Sequence, residues 1–320
     1  MTFKRPEITK TADGSPRKVG FELEFSGLTL QQTASAVHRA LGGSLEQHSL
    51  VEYRCNLAEL GEFKIELDWH YLKRTAAEQD VSRWLKTLTE AAQLLVPIEV
   101  VCPPLPIDRL SELQPMVESL RQSGAVGTEK SLLAAYGVHI NSEIPELSCA
   151  CLTRYLQAFA LLQWWLVDAH EVDITRRMSP YIDLYPESYL IKVVKRQYND
   201  FSEITGDYLT DNPTRNRALD LLPLLMMVKA DTVRQSLDEP KLNARPTFHY
   251  RLPNCQIEQP DWSLALAWNT WWVVEQLATE PDALAELGQV FIEAQRPLLG
   301  IDRKAWVNYI DQWLKNRGWQ

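Results

Sequence analysis

The stretch Lys18-Val19-Gly20-Phe21-Glu22-Leu23-Glu24-Phe25 constrains the fold more than any other part of the chain. Val19, Phe21, Leu23 and Phe25 alternate with Gly20, Glu22 and Glu24, and side chains of an extended chain point to opposite faces with period two. A strand is expected here, apolar on one face, with Glu22 and Glu24 side by side on the other. Neighbouring carboxylates repel one another, and glutamate is a poor strand former. Such a pair needs water, a basic partner or a metal ion.

Three later stretches repeat the pattern. Phe63 to His70 sets Phe63, Ile65, Leu67 and Trp69 against Lys64, Glu66, Asp68 and His70. Gly137 to Asn141 sets Val138 and Ile140 against Gly137, His139 and Asn141. Thr247 to Leu252 sets Phe248, Tyr250 and Leu252 against Thr247, His249 and Arg251. With the apolar faces packed on helices, the polar faces gather Glu22, Glu24, Glu66, Asp68, His139, Asn141, His249 and Arg251. The expected class is α+β: a curved, mainly antiparallel sheet, covered by helices on one face and open on the other as the floor of a polar, catalytic cleft.

Helical spacing of apolar residues predicts helices over Thr29–Leu41, Glu78–Leu95, Asp108–Gln122, Ser148–Ala169 and Arg215–Val228. Another strand is expected over Leu50–Leu57, and a short buried one over Ile98–Cys102. Residues 1–17 read as a loose arm. The segment Glu171–Asn212 is mixed and comparatively basic, carrying Arg176, Arg177, Tyr181, Tyr185, Lys192, Lys195 and Arg196. Three helical patterns follow Trp262. This divides the chain into a mixed strand-and-helix region, 18–256, and a helical C-terminal extension, 257–320, that serves either as a packing cover or as an interface for a partner or a second subunit.

A net charge of -9 argues against nucleic acid or an anionic membrane as the main partner. It leaves room for a small anion such as ATP, because bound divalent cations reverse the local sign. The start has no secretory pattern, and the longest apolar run, around Phe159–Val167, is too short to span a bilayer. The 5 cysteines are scattered without a CxxC pair and read as buried thiols in a reducing cytoplasm.

Four carboxylates spread over at least two strands suit Mg²⁺ or Mn²⁺, ions that keep waters and bridge to phosphates. Histidine is a poor Mg²⁺ ligand, so His139 and His249 suggest Mn²⁺ tolerance, phosphate contact or proton transfer. Arg251 carries the planar fork that matches a pair of phosphate oxygens. Lys192, Lys195 and Arg196 read first as a solvated helix face, with reach to nucleotide phosphates as the alternative. The chain has no G-x-S-x-G, no P-loop motif and no G-x-G-x-x-G.

These residues resemble the amidoligase family, carboxylate–amine ligases with the glutamine synthetase and glutamate–cysteine ligase fold. The resemblance rests on Gly20-Phe21-Glu22-Leu23-Glu24-Phe25, on Glu66 in Phe63–Asp68, on Gly137-Val138-His139-Ile140-Asn141 and on Arg251. It covers roughly residues 18–256 and implies ATP-dependent amide-bond formation through an acyl phosphate. By the same resemblance Glu22, Glu24 and Glu66 are metal ligands, His139 is a metal or phosphate contact, and Arg251 stabilises the transferred phosphoryl group. The implied substrates are a small-molecule or peptide carboxylate and an amine. One departure stands out: relatives carry an acidic residue two before the arginine, and here that place is His249, so the ion count is open and Asp68 is a candidate to compensate. Two other readings predict different behaviour. A metal-dependent phosphoester hydrolase would act without ATP turnover, and a non-catalytic relative would bind nucleotide without turning it over.

Overall fold

The computed structural model describes residues 1–68, 94, 96–128, 136–178, 182–237 and 242–320. The helix expected over Glu78–Leu95 lies almost wholly outside them, as do Trp69, His70 and Tyr181. The chain falls into two compact units, each discontinuous in sequence. The first comprises Met1–Phe3, Lys18–Ile140 and Pro253–Ala267; the second comprises Lys4–Arg17, Asn141–Leu252 and Trp268–Gln320. Strands and helices are combined in a mostly antiparallel, unclosed α+β arrangement.

The first unit is built on β1 (Lys18–Phe25), α1 (Leu30–Leu41), β2 (Ser44–Gln47), β3 (Glu52–Leu57), β4 (Gly61–Leu67), β5 (Ile98–Val101), β6 (Leu105–Pro106), α2 (Gln114–Ser123) and β7 (Val138–Glu143), which crosses into the second unit after Ile140. The strand order is β2-β3-β4-β5-β1-β7, with β6 paired to the start of β1. The ladders β2–β3, β3–β4, β4–β5 and β5–β1 are all antiparallel. The alternation in β1 does what its period demands: Val19, Phe21, Leu23 and Phe25 are fully buried. Phe63, Ile65, Ile98, Val100, Val138 and Ile140 join them.

Helix α1 packs on β3 and β4 and against α2. Its start is fixed by a capping box in which Thr29 and Gln32 satisfy each other's backbone N–H groups. The chain leaves β1 through Gly27, at φ 87°, where a Cβ would sit 2.6 Å from the Gly124 carbonyl oxygen. Only glycine tolerates both the left-handed backbone and that approach. Two expectations shift here. The strand β2 lies where the sequence shows only a helix stop, and the helix expected from Asp108 is a 3₁₀ turn over Ile107–Leu113 before α2 takes over.

The second unit holds α3 (Cys149–Ala169), α4 (Ile174–Arg177), α5 (Glu187–Lys195), α6 (Phe201–Asp211), β8 (Leu219–Asp220), α7 (Leu222–Val228), α8 (Ala230–Ser236), β9 (Thr247–Tyr250), α9 (Leu264–Thr279, which enters from the first unit), α10 (Pro281–Glu293) and α11 (Arg303–Asn316). As its composition implies, α3 is buried on nearly all sides, and it packs against α5, α10 and α11. The single helix expected over Arg215–Val228 is replaced by the short strand β8 followed by α7. Leu219 and Leu221 are both fully buried, an apolar alternation flanking Asp220 that favours a strand over a helical stripe.

The loose arm expected over residues 1–17 is in fact anchored. Arg17 is among the largest fully buried side chains. Its guanidinium donates to both oxygens of Glu275 at 3.0 Å and to the Ile8 and Glu143 carbonyls. Glu275 also accepts from Ser142 at 2.7 Å, Tyr155 at 2.6 Å and Trp271 at 2.9 Å. Burial would raise the Glu275 pKa, but Arg17 and these donors hold it below the usual carboxylate range. Upstream, the Lys4 ammonium lies 4.5 Å above the Trp272 ring and donates to the Trp319 carbonyl. No helix among the described residues is long and apolar enough to cross a membrane.

Candidate metal centre

Strand register assembles the centre of the first unit. Across β3, β4, β5 and β1, Glu52 stands opposite Glu66, Glu66 opposite Glu99, and Glu99 opposite Glu24. Directly opposed residues on antiparallel strands share a face, with Cβ atoms about 5 Å apart, so this is a row of four glutamates. Like charges in that relation destabilise a sheet. At one end Arg54 neutralises Glu52 at 2.6 Å. Within the row the repulsion shows in Glu99, whose pKa is driven well above the usual range by burial and by the fields of Glu22, Glu24, Glu66 and Asp68.

His139 faces this row from β7. Its Nδ1 lies 2.8 Å from Glu22 Oε2, and its Nε2 lies 3.6 Å from Glu24 Oε1. With Nδ1–H donating to Glu22, Nε2 is the ring nitrogen that faces Glu24. A carboxylate orienting a histidine in this way is the usual support of a metal-bound imidazole. Glu24 is itself placed by the Gly137 N–H, which donates to its other oxygen at 2.9 Å. One ligand atom each from Glu24, Glu99 and His139 lie within 4.8 Å of one another. Two carboxylate oxygens and one imidazole nitrogen, in a field of further carboxylates, fit a divalent cation of the Mn²⁺ or Mg²⁺ type.

Of the residues singled out from sequence, Glu22, Glu24, Glu66, Asp68 and His139 thus belong to the first unit, and all but Asp68 stand on its paired strands. Glu99 was missed. It is the one polar residue in Ile98-Glu99-Val100-Val101, which reads as a buried strand, yet a lone glutamate there has only a polar face to point into.

The remaining candidates belong to the second unit. Asn141 is buried on the final half of β7, and His249 is buried on β9. His249 pairs in register with Asp220 of β8, and Arg251 Nη2 lies 3.5 Å from Asp220 Oδ2. Asp220 was also missed from sequence; it is fully buried, which raises its pKa, while Arg251, a backbone N–H and Arg215 oppose the rise. Lys192 is engaged by Asp211 at 2.5 Å and Asp207 at 3.8 Å. Lys195, with Arg154, lines a groove of about 750 Å³ between α3, α5 and α10. The basic look of this segment is therefore largely cancelled by the acidic face of α6, where Asp207 and Glu203 also take Arg196.

An open sheet whose polar face concentrates carboxylates around an oriented histidine defines an α+β protein with an acidic centre. A family model described as "putative amidoligase enzyme" matches residues 15–273. The chain belongs to that family, and its description is that of a ligase-type enzyme. The match begins just ahead of β1 and runs past β9, so it spans every strand named above. No curated protein matches the chain.

Proposed function

We propose that this protein joins a carboxylate to an amine at the expense of ATP, through an acyl phosphate, with Mg²⁺ or Mn²⁺ as the metal. The observation that carries the proposal is the row Glu66–Glu99–Glu24 in register beside His139. A fold that aligns three carboxylates across adjacent strands, and drives up the pKa of one of them, gains when a cation takes the place of that proton. Glu22, Glu24, Glu66, Glu99, Asp68 and His139 are the residues that would hold the ion. The bound ion supplies charge neutralisation at phosphate oxygens, which lowers the barrier to attack by a carboxylate.

The chain's own groups do the positioning. Glu22 fixes the ring and tautomer of His139, and the Gly137 N–H fixes the carboxylate plane of Glu24. The family resemblance gives the transferred phosphoryl group to Arg251, whose fork is suited to it. Asn141, within the Gly137–Asn141 piece that carries the resemblance, is assigned to nucleotide contact; His249 departs from the family pattern and takes no role from it. Lys192 is held in ion pairs and Lys195 faces the groove, so the reading rests on Arg251 rather than on these lysines. The substrate carboxylate belongs to an amino acid, a peptide or a comparable small molecule.

Phosphate release from ATP with Mg²⁺ or Mn²⁺, screened against pools of carboxylates and amines, tests the reading. Release that needs both co-substrates, with ¹⁸O passing from labelled carboxylate into phosphate, is the expected result. ATP left intact with every pool would refute it, and cleavage of phosphoesters without ATP would favour a hydrolase instead.

A further inference from the structure

Asp220 sits on β8 with no solvent exposure, and its two oxygens have different duties. Oδ1 accepts the Leu222 N–H at 3.0 Å, at the start of α7. Oδ2 faces two guanidinium groups, Arg251 Nη2 at 3.5 Å and Arg215 Nε at 3.8 Å. A structural arginine–carboxylate pair closes to about 2.7–2.9 Å, commonly through two parallel hydrogen bonds. Neither contact here does so. The Nε atoms of Arg215 and Arg251 are both shielded from solvent and have no hydrogen-bond partner among the described residues. Leaving charged donors buried and unsatisfied is costly. One carboxylate against two guanidiniums also leaves a surplus positive charge.

The geometry points to Arg215 and Arg251 as a two-guanidinium site for a phosphoryl-type oxyanion, with buried Asp220 as the anchor that keeps both forks turned to one place. A tetrahedral anion offers enough oxygens for two forks at once, whereas a single carboxylate is saturated by one. The inference rests on the ligase reading for the origin of the phosphoryl group and adds Arg215 and Asp220 to it. Arg215 becomes a binding residue, and Asp220 a positioning residue that acts through the two arginines. Asp220 stands opposite His249 in the β8–β9 register, beside the place where relatives carry their acidic residue. The carboxylate that faces Arg251 thus comes from the neighbouring strand.

The test uses the full chain and inorganic phosphate alone, without nucleotide or metal, followed by ³¹P line broadening and calorimetry at low ionic strength. Wild type is expected to bind phosphate saturably, with displacement by sulfate and not by acetate. Arg215→Gln and Arg251→Gln should each weaken binding about tenfold or more. Arg215→Lys, which keeps the charge and loses the fork, should fall between. Asp220→Asn should weaken binding while leaving both arginines in place; if that variant fails to fold, the arginine series decides alone. Phosphate that binds Arg215→Gln as tightly as wild type, or a wild type with no saturable binding, overturns the inference. Mn²⁺ affinity of Arg215→Gln should match wild type. A wild type that binds Mn²⁺ but not phosphate sinks this site alone, and a wild type that binds phosphate but not Mn²⁺ sinks the metal-dependent reading alone.

Discussion

Two carboxylates show opposite treatments of buried charge. Glu275, in the second unit, is surrounded by donors: Arg17 takes both of its oxygens, and Ser142, Tyr155 and Trp271 complete the set. Its pKa is lowered although burial alone would raise it. Glu99, in the first unit, meets Glu24 and Glu66 across the ladder, and its pKa is raised. The first arrangement is a finished internal network, high in stability and tied to structure. The second holds like charges in register, and the raised pKa of Glu99 is the strain that the proposed cation would relieve.

The largest effect that would break this comparison lies at Glu275. Replacing Glu275 with Leu, or Arg17 with Met, strands a buried charge and should cost about 3–5 kcal/mol in urea unfolding. A change below about 1 kcal/mol would show that the network is not fully desolvated.

A smaller effect concerns His170, whose Nε2 lies 2.7 Å from the Tyr250 hydroxyl. Burial first, and Arg176 second, pull its pKa from 6.5 down to about 3. A depressed pKa means that the unfolded chain takes up a proton that the folded chain refuses. The stability is therefore fully present above pH 6.5 and is lost as pH falls toward 3, by at most about 1.4 kcal/mol per unit. His170→Phe should flatten that slope between pH 7 and 5 in urea titrations; an unchanged slope would contradict the buried neutral ring.

Glu99→Gln should act in the opposite sense to Glu275→Leu. In metal-free buffer it removes repulsion and should stabilise the fold by about 0.5–2 kcal/mol. A loss of stability would show that Glu99 already has a compensating partner in the apo protein. Smallest is Lys4→Met, which removes a cation over Trp272 and should lower the urea midpoint by the equivalent of about 0.5–1 kcal/mol.

Period-two alternation made β1, β4, β7 and β9 legible, together with the residues on their polar faces, because burial of one face fixes the other. Helical spacing and caps did the same for α1, α3 and the last three helices. The partners that complete each site were hidden for a shared reason. Glu99 and Asp220 are single acids in short apolar runs, and their roles come from cross-strand register, which no local pattern contains. Arg17 was hidden because a buried arginine in a polar arm is defined only by Glu275, far along the chain. The counter-charges of Lys192 and Arg196 were hidden in the same way, because Asp211 and Asp207 come from α6 and not from the basic segment itself.

The proposed ligase chemistry needs a divalent cation at the row Glu66–Glu99–Glu24 with His139. Mn²⁺ titration of the full-length protein, followed by the electron paramagnetic resonance of free Mn²⁺, tests it directly. Wild type should bind saturably, and Glu24→Gln and Glu99→Gln, each still folded, should lose about 10- to 100-fold in affinity. Equal Mn²⁺ affinity in wild type and both variants would contradict it.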